Sequence, residues 1–193
     1  MRYRLIDNSL NNVNDILNTV LINRGISNPE AYMHIDDTCI DDYNNLDNID
    51  KGARLLDKVL SNKGKIAIIV DCDVDGFTSA SIFWLYLKEL MPDIEIRYYL
   101  HEGKQHGLED LMDKIESEAE DIDLLVVPDA GSNDEEYHRT LRDVGIPILV
   151  LDHHEANQYS KDAIVINNQL SKNYLNKQLT GAGVVYQFCR YLD

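Results

Sequence analysis

Short apolar runs alternate with helical patterns from residue 65 onward, and this alternation restricts the possible folds more than any other feature of the sequence. Residues 65–70 (KIAIIV) have the composition of a strand that is buried on both faces. Further strands are predicted over 94–100, 122–128, 147–152 and 163–167, and helices over 77–90, 108–120, 133–143 and 181–191. The pattern predicts an α/β fold, with a doubly wound, mostly parallel five-stranded sheet and helices on both faces.

The first 62 residues follow a different pattern. Apolar residues fall on one helical face over 9–24, Pro29 can open a short second helix, and a third helix is predicted over 51–60. Between them, residues 36–50 are acidic and rich in Asn, which favours a loop or linker. We therefore predict an N-terminal helical cap and linker over 1–62, followed by the α/β domain over 63–193.

The chain is strongly acidic, with 18 basic and 34 acidic residues and a formal net charge of −16. Such a chain is a poor non-specific binder of nucleic acid, because contacts to phosphate need Lys and Arg. Two explanations of the acidity remain open. The carboxylates either keep the surface soluble, or some of them bind divalent cations, which reverse the local charge and attract phosphate.

Several classes of protein are excluded by what the sequence lacks. No segment approaches the ~18 consecutive apolar residues of a membrane span, and the first residues lack the apolar core of a secretory signal. Three scattered cysteines, Cys39, Cys72 and Cys189, fit neither a disulfide framework nor a CxxC metal site. We expect a cytoplasmic protein that has no membrane partner.

Carboxylates and imidazoles follow three of the predicted strands at the point where each strand ends. The first strand runs into DCDVDG at 71–76, the third into PDAG at 128–131, and the fourth into DHHE at 152–155. In open α/β sheets, ligands bind beyond the carboxyl ends of the strands. These polar segments are therefore candidates for one shared site.

The DCDVDG segment has the carboxylate spacing of a cation site. Alternate residues of an extended chain point the same way, so Asp71, Asp73 and Asp75 can converge. Unneutralised carboxylates at such distances would repel one another, and a bound Mn²⁺ or Mg²⁺ removes that conflict. A solvated turn is the alternative, whereas an EF-hand is disfavoured because Ile82 stands where the closing glutamate is required. Cys72 lacks the neighbouring cation and helix end that a reactive cysteine usually has, which predicts a packing role.

Taken in order, DCDVDG, PDAG and the DHH triplet at 152–154 resemble the motifs of the DHH phosphoesterase superfamily. The DxDxDG form, together with LINRGISNPEAYM at 21–33 and TGAGVVYQF at 180–188, resembles its RecJ-type single-strand exonuclease branch. The resemblance implies a two-metal, usually Mn²⁺-dependent phosphodiesterase. Its substrate would be single-stranded nucleic acid, DNA favoured, degraded from the 5′ end.

Transferred residue by residue, the resemblance implies four metal ligands, which are Asp71, Asp73, Asp129 and His153. Asp129 would bridge two cations about 3.5–4 Å apart. The predicted catalytic residues are His154, Asp75 and Asp152. Of these, His154 would lie against the scissile phosphate, while Asp152 would orient the two imidazoles, as metal-binding histidines usually require.

Two further segments are expected to contact substrate. The amides of Gly181 and Gly183 open the last predicted helix, with Thr180 as a cap, and would suit a phosphate. The alternative is that these glycines only permit close packing of helix on sheet. The loop at 103–108 resembles the substrate loop of the family, in which Lys104 and His106 would contact phosphate.

The sequence departs from the family pattern at two places. Ile69 stands where some relatives have a histidine ligand, which would weaken one metal site. The chain also ends at Asp193, whereas relatives carry a further metal-binding aspartate and a substrate-binding domain, so a downstream domain or a partner chain is expected to supply them.

Three alternatives to the exonuclease remain. They are an oligoribonuclease or cyclic-dinucleotide phosphodiesterase of the same superfamily, a pyrophosphatase, and a non-catalytic replication or repair scaffold. The DxDxDG form favours the exonuclease branch over the first two. The joint presence of the predicted ligands with His154 argues against the scaffold.

Overall fold

A computed structural model of the protein describes residues 13–34, 36, 40–101, 103 and 106–193. The chain divides into two compact units, Met1–Ile40 and Asp41–Asp193. The first unit contains helices α1 (Val13–Asn23) and α2 (Pro29–Met33), and Asn28 caps α2 by accepting a hydrogen bond from the Ala31 amide. Within the described ranges, no helix is both long and apolar enough to cross a membrane.

The second unit is an α/β domain whose five strands are all parallel. Its strands are β1 (Ile66–Val70), β2 (Ile96–Leu100), β3 (Leu124–Pro128), β4 (Ile148–Asp152) and β5 (Ile164–Asn167), in the spatial order β2-β1-β3-β4-β5. Its helices are α3 (Ile49–Ser61), α4 (Val74–Leu90), α5 (Met112–Ser117), α6 (Glu135–Asp143) and α7 (Gly181–Leu192). The predicted parallel five-stranded sheet is confirmed.

One predicted helix is shorter than expected. The acidic segment predicted as a helix over 108–120 contains only the short α5, flanked by 3₁₀ turns at Glu109–Leu111 and Ala119–Asp121. Neither α5 nor these turns begins with a capping side chain. Burial of Met112 and Ile115 therefore holds the segment against the sheet, and this short-range packing does not require a long helix.

Alternate side chains of the central strands enter two separate cores, because successive residues of a strand point to opposite faces of the sheet. Ile66, Ile68 and Val70 of β1 join the core beneath α3, α4 and α7. Ala67 and Ile69 join the opposite core, together with α5 and α6. Both faces are thus buried, which explains why the strands are uninterrupted apolar runs in the sequence.

The strand order fixes where a ligand can bind. From β1 the chain crosses to β2 on one side, and all later strands lie on the other side of β1. The carboxyl ends of β1 and β3 flank this reversal, which is the place where doubly wound sheets open a crevice. Asp71 and Asp129 are the first residues after those two strands.

A buried histidine on α6 gives the domain an acid-sensitive stability. His138 is fully buried, and its ring nitrogens have no hydrogen-bond partner within the described residues. Burial lowers the pKa of His138 to about 4, well below its ordinary value. Between about pH 6.5 and the folded-state pKa the unfolded chain binds the extra proton, so stability falls as the pH drops through that range.

We therefore expect His138→Leu to recover about 3 kcal/mol of the acid-induced loss in unfolding free energy, at about 1.4 kcal/mol per pKa unit. The measurement is urea unfolding at about pH 7.5 and about pH 4.5. His34→Leu, at an exposed position, is the control substitution. An equal acid loss in wild type and His138→Leu would show that His138 does not carry the effect.

Candidate metal centre

The turn from β1 into α4 carries the first pair of carboxylates. Asp71 is fully buried, and Asp73 caps α4 by accepting a hydrogen bond from the Gly76 amide at 2.9 Å. A Cβ on Gly76 would lie 2.5 Å from Cβ of Asp71, so the tight turn requires glycine there. Carboxylate oxygens of Asp71, Asp73 and Asp129 all lie within 4.8 Å of one another. The structure thus brings two segments that are far apart in sequence into one acidic cluster.

Asp129 is the most constrained member of this cluster. Its backbone is in the left-handed region, with φ of 69°, and its amide donates to the Leu151 carbonyl at 2.8 Å. Its Oδ1 atom is buried without a hydrogen-bond partner among the residues described. Burial, followed by the negative charges of Asp75 and Asp73, raises the pKa of Asp129 to about 8. Strained backbone and opposed ionisation together are typical of a functional site.

His153 is oriented as a metal-binding imidazole would be. Its Nδ1 atom donates to the Leu179 carbonyl at 2.9 Å, because a carbonyl oxygen can only accept. The Nε2 atom then faces Oδ1 of Asp129 at 3.2 Å and Oδ2 of Asp75 at 3.6 Å. A backbone acceptor on one ring nitrogen commonly fixes the tautomer in which the other nitrogen binds a metal.

Asp152 ends β4 and contacts the backbone amides of both histidines but the ring of His154 only, so the predicted orientation of both imidazoles by Asp152 is not seen for His153, whose ring contacts the Leu179 carbonyl. Its Oδ1 atom accepts from the amides of His153 and His154 and from Nδ1 of His154, at 2.7, 3.1 and 2.8 Å, and Oδ2 accepts from the Ser132 amide at 3.0 Å. Burial opposes ionisation of Asp152, but the hydrogen bonds from His154 and Ser132 outweigh it and lower its pKa to about 2. The hydrogen bond between Asp152 and Nδ1 of His154 raises the pKa of His154 to about 9.

Asp75 contacts the amino terminus of α7. Its two carboxylate oxygens accept from the amides of Gly181 and Ala182 at 2.7 and 2.9 Å. Thr180 caps the helix as predicted, since its Oγ1 atom accepts from the Gly183 amide at 3.2 Å. Burial raises the pKa of Asp75, but the two amide hydrogen bonds lower it overall. The amides of Gly181 and Gly183 are thus occupied, and a phosphate could reach Gly181 only by displacing Asp75, so their predicted contact with substrate stays a prediction.

Of the predicted substrate loop, Lys104 lies outside the described residues, whereas His106 reaches the acidic cluster. The Nδ1 atom of His106 lies 2.5 Å from Oδ2 of Asp71. A cleft beside the cluster is lined by the loops that follow β2, β3 and β4, including His106, Gly107, Ser132, Asn133, His154 and Glu155. His106 and His154 thus border the same cleft, as a substrate role for both would require.

Sequence reasoning missed two polar residues around this site. His101 follows β2, its side chain is fully buried, and its Nε2 atom lies 3.9 Å from Oδ1 of Asp71. Neither of its ring nitrogens has a hydrogen-bond partner in the described part of the chain. Asn167 ends β5, and its amide group donates to Oγ of Ser132 at 2.8 Å and to the His154 carbonyl at 2.9 Å. The missed signal was that polar residues also follow or end β2 and β5.

We expect Asn167→Leu to destabilise the domain by about 2–4 kcal/mol. The substitution leaves Oγ of Ser132 and the carbonyl oxygen of His154 without the hydrogen bonds that Asn167 donates. Thermal or urea unfolding measures this loss. Asn133→Leu is the matched control, because exposed Asn133 donates one hydrogen bond to the Glu155 carbonyl in the same region. Equal stability losses in the two variants would contradict a specific role for Asn167.

The donor set suits a hard divalent cation. Buried Oδ1 atoms of Asp71 and Asp129 lack hydrogen-bond partners among the described residues, and Nε2 of His153 points at the second of them. Oxygen-rich coordination with an added imidazole fits Mn²⁺ or Mg²⁺ better than structural zinc. A cation would also neutralise the Asp129 carboxylate, whose ionisation is opposed by burial and by the charges of Asp75 and Asp73.

Comparison with known proteins identifies a matching family. Residues 65–193 match the model of the DHH family, N-terminal domain. The chain is 46% identical over 194 residues to YorK of Bacillus subtilis (strain 168), named as an SPbeta prophage-derived single-strand DNA-specific exonuclease. That alignment covers 100% of this chain and 32% of YorK, so the chain spans about a third of that relative's length.

A second relative and a solved structure give the same picture. The single-stranded-DNA-specific exonuclease RecJ of Thermus thermophilus is 30% identical over 138 residues, which cover 70% of this chain and 20% of that protein. A crystal structure of exonuclease RecJ bound to manganese superposes with a TM-score of 0.67 at 26% identity, covering 76% of this chain and 37% of that one.

Proposed function

Since the chain belongs to the DHH family, we propose that its acidic cleft is the hydrolytic centre of a Mn²⁺-dependent phosphodiesterase that cleaves single-stranded DNA. The observation that carries this proposal is the convergence of Asp71, Asp73 and Asp129 within 4.8 Å at the carboxyl ends of β1 and β3. The manganese bound by the matching RecJ structure supports the choice of cation.

In this proposal Asp71, Asp73, Asp129 and His153 would hold two cations, and Asp129 would be a ligand of both. When bound, such ions activate water and stabilise the charge that develops on the phosphate and the departing oxygen. The protein supplies fixed ligands for this chemistry, because helix α4, the Leu151 carbonyl and the Leu179 carbonyl hold Asp73, Asp129 and His153 in place. No side chain need form a covalent bond to the substrate.

We assign His154 to the substrate phosphate and Asp152 to the orientation of His154. The Nδ1 atom of His154 is engaged by Asp152, which leaves Nε2 directed away from that carboxylate, on a side chain that is 53% exposed. A positioned donor at this place can stabilise charge on a phosphate oxygen. Asp75 contributes by holding the amino terminus of α7 against the cluster.

His154→Ala is expected to lower turnover by about 10²–10³-fold while the Mn²⁺ stoichiometry stays the same, since only a contact to phosphate is removed. Turnover is followed on a short 5′-labelled single strand, and Mn²⁺ binding by calorimetry on the same preparation. His34→Ala is an exposed-histidine control. Loss of one equivalent of Mn²⁺ in His154→Ala would make His154 a metal ligand instead.

The surface that binds a long polynucleotide is proposed to lie in a further domain or a partner chain. A net charge of −16 leaves little basic surface for phosphate contacts outside the metal centre. We further propose a cytosolic location, because the thiols of Cys72 and Cys189 are free.

The decisive test compares Mn²⁺-dependent hydrolysis of 5′-labelled single strands, duplexes, dinucleotides and pyrophosphate in one experiment. We expect single strands to be cleaved in preference to duplexes. Activity on long strands should improve when the further domain or partner chain is present. A preference for dinucleotides both with and without that addition would favour the oligoribonuclease or cyclic-dinucleotide alternative. Binding without any turnover would favour a scaffold.

A further inference from the structure

The thiol of Cys72 and the imidazole of His106 lie next to the acidic cluster. The proposed reaction assigns no joint role to these two groups. Sγ of Cys72 is 3.9 Å from Nε2 of His106. Cys72 is a free, half-buried cysteine, and the side chain of His106 is 57% exposed, so solvent cations can reach both. The packing role predicted for Cys72 from the sequence does not account for this arrangement.

The hydrogen bond to Asp71 sets the direction of the His106 ring. An ionised carboxylate can only accept, so Nδ1 of His106 donates to Oδ2 of Asp71 across 2.5 Å. In the neutral ring, Nε2 then presents its lone pair to Sγ of Cys72. A carboxylate that orients the far side of an imidazole is the usual support of a zinc-binding histidine.

The separation of the two donor atoms matches a single bound cation. Bond lengths of about 2.3 Å to sulfur and about 2.0–2.1 Å to nitrogen, at a tetrahedral angle, put the two donors about 3.6 Å apart. The observed 3.9 Å needs an adjustment of only a few tenths of an ångström at an exposed side chain. Asp71, Cys72 and His106 also offer ligand atoms that all lie within 4.8 Å of one another.

We propose that Cys72 and His106 bind a thiophilic divalent cation of the Zn²⁺ class at a site distinct from the Mn²⁺ centre. Water completes its coordination, and the thiol proton is released to solvent when the thiolate binds. Thiolate ligation selects this cation against Mn²⁺, which prefers oxygen donors. Because His106 is also hydrogen-bonded to Asp71, a cation at this site would lie beside the acidic cluster. It would therefore hinder the entry of substrate into the cleft.

Titration with Co²⁺ as a spectroscopic probe tests the proposal. Cobalt bound by a thiolate gives a sulfur-to-metal charge-transfer band in the near ultraviolet, which cobalt at the carboxylate cluster cannot give. We expect the band in the wild-type protein pre-loaded with Mn²⁺, and its loss in Cys72→Ser with at least about a 10-fold fall in Zn²⁺ affinity. Cys189→Ser, which alters a buried thiol, should keep the band.

Absence of the band in the wild type, or its persistence in Cys72→Ser, would overturn the proposal. Alkylation provides a second measurement that does not depend on the folding of a variant. In the wild type, Zn²⁺ should slow the reaction of Cys72 with iodoacetamide, followed by mass spectrometry, and Mn²⁺ should not. Equal alkylation rates with and without Zn²⁺ would equally overturn it.

Discussion

Asp129→Asn is expected to weaken Mn²⁺ binding by at least about 100-fold and to remove detectable phosphodiesterase activity. Loss of a residue that only supports a ligand already costs about 10–100-fold in affinity, and Asp129 is proposed to bind both ions. Calorimetric titration with Mn²⁺ and hydrolysis of a labelled single strand measure the two effects. Asp123→Asn, at the opposite end of β3, is the matched control, because asparagine can still accept the hydrogen bond that Asp123 receives from the Lys65 amide.

The same variant should be more stable than the wild type in the absence of metal. Burial and the charges of Asp75 and Asp73 raise the pKa of Asp129 to about 8, so its ionised form destabilises the metal-free fold. The folded state therefore loses stability as the pH rises from the ordinary carboxyl pKa toward about 8, and Asp129→Asn should remove that loss. An unchanged Mn²⁺ titration together with an unchanged melting temperature would contradict the role assigned to Asp129.

Gly181→Ala is also expected to weaken metal binding, although glycine has no side chain to act as a ligand. A Cβ at residue 181 would overlap with Oδ1 of Asp129, the buried oxygen that faces His153. Either the carboxylate or the start of α7 must move, and each movement breaks the arrangement proposed to bind Mn²⁺. We expect at least about a 10-fold loss of Mn²⁺ affinity, measured by calorimetry.

Gly183→Ala is the control for this variant, because it makes the same change two residues further along the same helix. Its Cβ would approach Cδ2 of Leu179 at 2.9 Å, and the end of a leucine side chain can move aside. The helix propensity at residue 183 also rises when glycine is replaced by alanine. Equal Mn²⁺ affinity in Gly181→Ala and wild type would show that α7 does not need to approach Asp129 so closely.

Most of the fold could be predicted from the sequence, because strands buried on both faces must be apolar throughout. The strand predicted over 65–70 is observed as Ile66–Val70, and that predicted over 147–152 as Ile148–Asp152. The segment over 108–120 was predicted less well, because its helical periodicity does not show where helix gives way to 3₁₀ turns. The boundary predicted between residues 62 and 63 stays a prediction.

The candidate site was predictable to the extent that it depends on strand ends. Asp71, Asp129 and Asp152 could be grouped because the carboxyl ends of parallel strands meet at one edge of the sheet. The hydrogen bonds between Asp75 and the start of α7 could not be predicted in the same way, because these residues are 106 and 107 positions apart. Such contacts depend on how the last helix packs, which local pattern does not determine.

The most direct test of the metal centre is anomalous X-ray scattering from crystals grown with saturating Mn²⁺. The account predicts two manganese peaks about 3.5–4 Å apart, both in contact with the Asp129 carboxylate and flanked by Asp71, Asp73 and His153. Manganese that is absent from this cluster, or bound there without contact to Asp129, would contradict it.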